Sequence, residues 1–210
     1  MIATILVEDN TMILHYLLSI LERDDRFKVV ATFRDAFEAE KACREAQVDL
    51  VLMDVATLHN HSGLTAGERI RRQNHPPKVV IVTSLIDPDI LAKARAGAAD
   101  SLWYKDHDEK ELMEVIEKTL DGEQIFPDSS PSVELKDMFS EDITPRQLNI
   151  LRCFVKGMTY SEIAEELNLT SRGVRWNIDE VVHKGGFANK HELLAALLNN
   201  KLIVTTLMDE

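Results

Sequence analysis

Leu50-Val51-Leu52-Met53-Asp54 decides the fold of this chain. Four apolar residues that stop on a carboxylate read as a strand covered on both faces, with its charge delivered to one end. In a parallel sheet that end is the C-terminal edge, where open α/β folds bind ligands. The pattern recurs on either side. Ile2-Ala3-Thr4-Ile5-Leu6-Val7 runs into Glu8-Asp9, Val79-Val80-Ile81-Val82 is closed by Thr83, and Ser101-Leu102-Trp103-Tyr104 runs into Lys105. Strands are therefore expected at Ile2–Val7, Phe27–Phe33, Leu50–Met53, Lys78–Val82 and Ser101–Tyr104.

Helical spacing fills the gaps. Ile13, Leu14, Leu17, Leu18 and Leu21 repeat at three-to-four intervals, as do Leu112, Val115, Ile116 and Leu120. Ala36, Ala39, Cys43 and Ala46 make a small-residue face, and Asp87-Pro88 opens a further helix. Five βα units within residues 1–121 predict a five-stranded, doubly wound parallel sheet.

Residues 122–142, with Gly122, Pro127 and Pro131, read as a linker with a short helix near Val133–Phe139. Strand signals vanish in residues 143–210. Thr144-Pro145-Arg146-Gln147 and Thr159-Tyr160-Ser161-Glu162 are capping boxes. The turn Asn168-Leu169-Thr170 leads into a third helix that stops at Gly185-Gly186, and a fourth carries Leu193, Leu194, Leu197 and Leu198. Helices joined by so short a turn predict a small all-α helix-turn-helix domain. Thr205–Glu210 reads as a frayed tail.

Composition narrows the functions. No apolar run approaches the roughly 20 residues of a membrane helix, and Met1-Ile2-Ala3-Thr4 has no basic leader, so a cytoplasmic protein is expected. Cys43 and Cys153 lack metal-ligand spacing and read as packed thiols. Charge is uneven. Residues 1–139 hold 16 Lys/Arg against 26 Asp/Glu, whereas residues 140–210 hold eight against ten. Only the second half is close enough to neutral to approach a polyanion.

The strand-end charges suggest a chemistry. Glu8, Asp9 and Asp54 at one edge offer hard oxygens suited to Mg²⁺. A cation there would let Asp54 act as a nucleophile toward a phosphoryl group, with Thr83 and Lys105 placed to bind its oxygens. Residues 1–121 resemble a response-regulator receiver domain, with an acidic pair, an acceptor Asp, a Thr and a Lys after the expected strands. The resemblance implies Mg²⁺ held by Glu8, Asp9, Asp54 and the backbone carbonyl of Ala56, and phosphoryl transfer to Asp54 from a histidine kinase. It also places Leu102, three before Lys105, where the family has a switch aromatic. The loop Thr57–Gly63 departs by one extra residue, by Leu58 in place of a proline, and by His59 and His61, expected to be solvent-exposed. Enzymes that use an aspartyl phosphate to hydrolyse external substrates carry a second Asp where this chain has Ala56, so no such activity is expected.

Residues 143–203 resemble the LuxR/NarL-type helix-turn-helix domain through Ile143-Thr144-Pro145-Arg146, Ile150-Leu151, Gly157, Glu162-Ile163-Ala164, Leu167, Val174 and Lys184. On the third helix Val174, Ile178, Val181 and Val182 form a core face, and Arg172, Arg175, Trp176 and Asp179 form the opposite stripe. Arg172 and Arg175 suit guanine edges or phosphates, Trp176 a sugar or thymine methyl, Asp179 a cytosine amine and Lys184 the DNA backbone. The resemblance implies a DNA-binding transcription regulator and makes the last helix a homodimer surface; the alternative reading, that its leucines cap the domain core, is compatible with this. Asp179 and Glu180 leave open a regulator that signals through protein contacts without DNA.

Overall fold

Five parallel strands in the order β2-β1-β3-β4-β5 form the sheet of the first unit. They are β1 (Ile2–Val7), β2 (Phe27–Phe33), β3 (Leu50–Met53), β4 (Lys78–Thr83) and β5 (Ser101–Tyr104). The computed structural model describes residues 1–105 and 108–204, so the tail expected at Thr205–Glu210 lies outside the described residues. The chain divides into two units, Met1–Ser129 and Ser130–Glu210.

Every residue of β3 and β5 is buried, as continuous apolar runs require when helices cover both faces. The helices are α1 (Thr11–Leu21), α2 (Ala36–Glu45), α3 (Gly63–Arg71), α4 (Pro88–Lys93) and α5 (Glu109–Leu120). Leu17, Ile20 and Leu21 of α1 and Leu112, Val115 and Ile116 of α5 pack with Leu6, Leu52, Val80, Val82 and Trp103. Burying each such side chain stabilises the fold by about 1.5–3 kcal/mol. Each helix begins where a polar side chain accepts a first-turn amide: Asn10, Asp35, Ser62, Asp87 and Asp108. The small-residue face of α2 is shorter than expected, because Ala46 is its exposed C-cap.

The edge of β5 does not stay open. Beyond α5 the chain turns back, Leu102 N–H donates to the Ile125 carbonyl at 2.9 Å, and Ile125 N–H donates to Ser101 Oγ at 2.9 Å. The Arg95 guanidinium donates to the Pro127 carbonyl and holds this return segment from the turn after α4.

In the second unit, a hairpin replaces the short helix expected near Val133–Phe139. Strands β6 (Glu134–Leu135) and β7 (Met138–Phe139) pair antiparallel. Leu135 and Met138 are buried while Glu134 and Phe139 are exposed; the buried pair sits at a three-residue interval that a helix would also allow, so burial spacing alone does not separate strand from helix. Lys136 starts the turn at φ 57°, outside helical geometry. Four helices follow: α6 (Pro145–Val155), α7 (Tyr160–Glu166), α8 (Ser171–Lys184) and α9 (Lys190–Asn199). Thr144 and Thr159 make both anticipated capping boxes. Ile150, Leu151, Ile163, Val174, Ile178, Val181, Leu193 and Leu197 form the core. Leu198 is exposed. Among the described residues no helix is long and apolar enough to cross a membrane.

Candidate functional site

The C-terminal ends of β1, β3 and β5 deliver their charges to one cleft. Carboxylate oxygens of Glu8, Asp9 and Asp54 lie within 4.8 Å of one another. Glu8 and Asp54 are buried and Asp9 is half-buried. Lys105 Nζ lies 2.6 Å from Glu8 Oε2 and 3.0 Å from Asp54 Oδ2, so one ammonium spans two acids. Asp54 Oδ1 accepts the Val55 N–H at 2.7 Å. Burial pushes the Asp54 carboxyl up to about 6; Lys105 opposes that rise and Glu8 adds to it.

Thr83 closes β4 as its last residue, and its buried hydroxyl accepts the Leu85 N–H at 3.1 Å. Its carbonyl accepts the Lys105 N–H at 2.9 Å, which fixes the two residues side by side. Leu102 is buried in the core with Trp103 and Tyr104. Ala56 is half-buried and bridges Ser62 across the loop. Gly63 carries a requirement that the chain alone did not reveal. A Cβ there would sit 1.9 Å from the Asp54 carbonyl oxygen, so only glycine lets α3 start against Asp54.

The two loop histidines part company. His59 is exposed as expected, but His61 is not a free surface group: its Nδ1 lies 2.8 Å from Asp35 Oδ2. The imidazole stacks on Phe37, with centroids 4.0 Å apart and planes at 15°. Burial alone would raise the Asp35 carboxyl, but the His61 ring and the Phe37 amide outweigh it and hold it below the ordinary carboxylate range.

On α8, Arg172, Arg175, Trp176, Asp179 and Lys184 are all exposed, and Trp176 keeps 61% of its surface open. Arg175 Nε lies 3.5 Å from Asp179, and Lys184 Nζ lies 3.2 Å from Asp142. Glu180 accepts from the Gln147 amide at 2.9 Å, which ties α8 to α6. Asn177 was missed by the apolar pattern; it is buried and donates to the Gly173 carbonyl at 2.8 Å.

An all-carboxylate donor set suits a small hard cation such as Mg²⁺. A buried aspartate, two partner acids, a threonine and a lysine at strand ends of a 2-1-3-4-5 sheet match the receiver-domain pattern. The chain belongs to that family: a model described as "Response regulator receiver domain" matches residues 4–117, and one described as "Bacterial regulatory proteins, luxR family" matches residues 141–196. The protein is thus a response regulator of the transcription-regulating type. Among curated relatives, it is 29% identical to the uncharacterized transcriptional regulatory protein YvfU of Bacillus subtilis over 91% of this chain and 94% of that one. It is 26% identical to the transcriptional regulatory protein LiaR of the same organism over 97% and 100%. A solved structure of RcsB from Salmonella enterica serovar Typhimurium, bound to promoter P1flhDC in the presence of phosphomimetic BeF3-, shares the fold with TM-score 0.63 at 20% identity, covering 93% of this chain and 97% of that one. A LuxR-family two-component response regulator from Aurantimonas sp. SI85-9A1 superposes with TM-score 0.55 at 28% identity, over 59% of this chain and 87% of that one.

Proposed function

We propose that Asp54 accepts a phosphoryl group from a partner histidine kinase and that this controls DNA binding by the second unit. The observation that carries the reading is Lys105 Nζ bridging Glu8 and Asp54 inside a three-carboxylate cleft. An Asp54 carboxylate oxygen attacks phosphorus, the P–N bond to the donor imidazole breaks, and an acyl phosphate forms as the imidazole leaves. Glu8, Asp9, Asp54 and the Ala56 carbonyl would hold Mg²⁺, which when bound screens the charge of the incoming group. Lys105 then turns from Asp54 to a phosphoryl oxygen, and the Thr83 hydroxyl gives up Leu85 N–H to donate to another. Buried Leu102 stands in for the switch aromatic, so the readout runs through Thr83 and the segment that follows it.

Receiver chemistry belongs to residues 1–121 and DNA reading to residues 143–210, with residues 122–142 between them. Arg172, Arg175, Trp176, Asp179 and Lys184 form the DNA-facing set on exposed α8. Pairing to Arg175 offsets the Asp179 charge, and Glu180 is engaged by Gln147, which favours DNA binding over a purely protein-mediated output. The active form is a homodimer and works in the cytoplasm. Incubation with Mg²⁺ and a small phosphodonor tests the first half: the expected product is a base-labile mass gain that Asp54→Ala abolishes. Absence of that gain at saturating donor removes the phosphoryl switch. For the second half, promoter-fragment binding by the phosphorylated chain is expected to fall steeply as salt rises.

A further inference from the structure

The geometry points to His61 as a positioning residue for the cation-binding loop, acting through Asp35; this rests on the reading of the cleft as a receiver site. The loop that leaves Ala56 is tied back to the start of α2 at three points. Leu58 N–H donates to the Arg34 carbonyl at 2.9 Å. Thr57 Oγ1 accepts the Ala36 N–H at 3.1 Å and donates to the His61 carbonyl at 2.6 Å. His61 Nδ1 reaches Asp35 Oδ1 and Oδ2 at 2.9 and 2.8 Å. Thr57, next to Ala56, therefore has its hydroxyl fixed from both sides.

The two residues Arg34 and Asp35 touch both halves of the cleft. The Arg34 guanidinium donates to the Asp9 carbonyl at 3.0 Å, while its own carbonyl and its neighbour's carboxylate hold the loop. The loop needs holding. His59 and Asn60 stand consecutively at φ 61° and 60°, a left-handed pair without glycine. The His61 ring adds a stack on Phe37, over which the Arg69 guanidinium of α3 also sits at 4.9 Å. Asp35 serves twice, since the same carboxylate caps α2 by accepting Phe37 and Glu38 amides. Release of His61 would free the loop between Thr57 and Ser62 and with it the aim of the Ala56 carbonyl. A group that orients a metal ligand from behind commonly changes metal affinity by about 10–100-fold.

The test is a calorimetric Mg²⁺ titration of the unphosphorylated full chain, wild type against His61→Ala, His61→Asn and His61→Gln. His61→Ala is expected to weaken Mg²⁺ binding by about tenfold. His61→Asn, whose amide nitrogen overlays Nδ1, is expected to restore most of it; His61→Gln, whose amide falls beyond that position, is not. Amide exchange at Leu58 is expected to quicken in His61→Ala and return in His61→Asn. Should the alanine chain fail to fold, the glutamine chain is read against the asparagine chain. Equal Mg²⁺ affinity in wild type and His61→Ala, or an asparagine chain no better than alanine, overturns this inference alone. A wild-type chain that takes up no Mg²⁺ overturns the receiver reading of the cleft as well.

Discussion

Lys105 lies 97 residues from Glu8 in sequence and 2.6 Å from it in space. The same ammonium, 3.0 Å from Asp54, keeps two buried carboxylates compatible with one small cleft. Removing one partner from such a group leaves uncompensated charge, at a cost of about 3–5 kcal/mol. Lys105→Met is therefore expected to lose several kcal/mol of stability near pH 7.5 and less near pH 5, where Asp54 takes up a proton. Urea titrations at the two pH values check this; equal losses would show that the ammonium does not hold the acids.

The raised Asp54 carboxyl has a signed consequence. Its value of about 6 lies above the ordinary 3.8, so the fold prefers the protonated group. That contribution is fully present below about pH 4 and is lost as pH rises through about 6. Asp54→Asn is expected to raise the melting temperature of the metal-free protein at pH 7.5 and to leave it nearly unchanged at pH 4. Parallel melting curves for the two metal-free chains from pH 4 to 8 would contradict this.

Gly63 gives the backbone analogue of a packing test. An added methyl would meet the Asp54 carbonyl oxygen at 1.9 Å and Met53 Cγ at 2.9 Å. Gly63→Ala is expected to destabilise by about 1–3 kcal/mol or more, because α3 must back away. It is also expected to slow phosphorylation, since the displaced carbonyl belongs to the acceptor. Chemical denaturation and a phosphorylation time course measure the two effects separately.

DNA contact by α8 is expected to depend on named side chains. Arg175→Ala should cost about 1–3 kcal/mol and relax discrimination if the guanidinium reads a base edge. It should instead reduce the salt slope by about one unit if the contact is to phosphate. Asp179→Asn frees Arg175 from its 3.5 Å partner and is expected to tighten binding. Salt-titrated fluorescence anisotropy with promoter fragments separates these outcomes, and no change in any of them would move the DNA-reading surface away from α8.

The receiver fold was legible because β1, β3 and β5 each stop where a charge begins, while β4 stops on Thr83. Asp54 and Lys105 announce a sheet edge by their position alone, and Thr144 and Thr159 announce helix starts through Gln147 and Glu162, each three residues further on. Other features were hidden for physical reasons. Asp35 and His61 are brought together only by the way α2 and the β3–α3 loop pack, and neither belongs to a periodic pattern. Two-residue strands such as Glu134–Leu135 are too short for alternation to declare itself. The need for glycine at position 63 arises from a backbone that reaches it from Asp54, so no side-chain pattern could signal it.

The return of Ile125 onto β5 has a practical side. A fragment ended at residue 121 would expose the Leu102 N–H that Ile125 now covers, on the edge strand Ser101–Tyr104. Such an unguarded rim is a template for intermolecular β-pairing and aggregation. An isolated receiver prepared for crystallisation or spectroscopy should therefore run through Ser129, where the first unit ends, and the shorter fragment is expected to precipitate or self-associate where the longer one stays monodisperse.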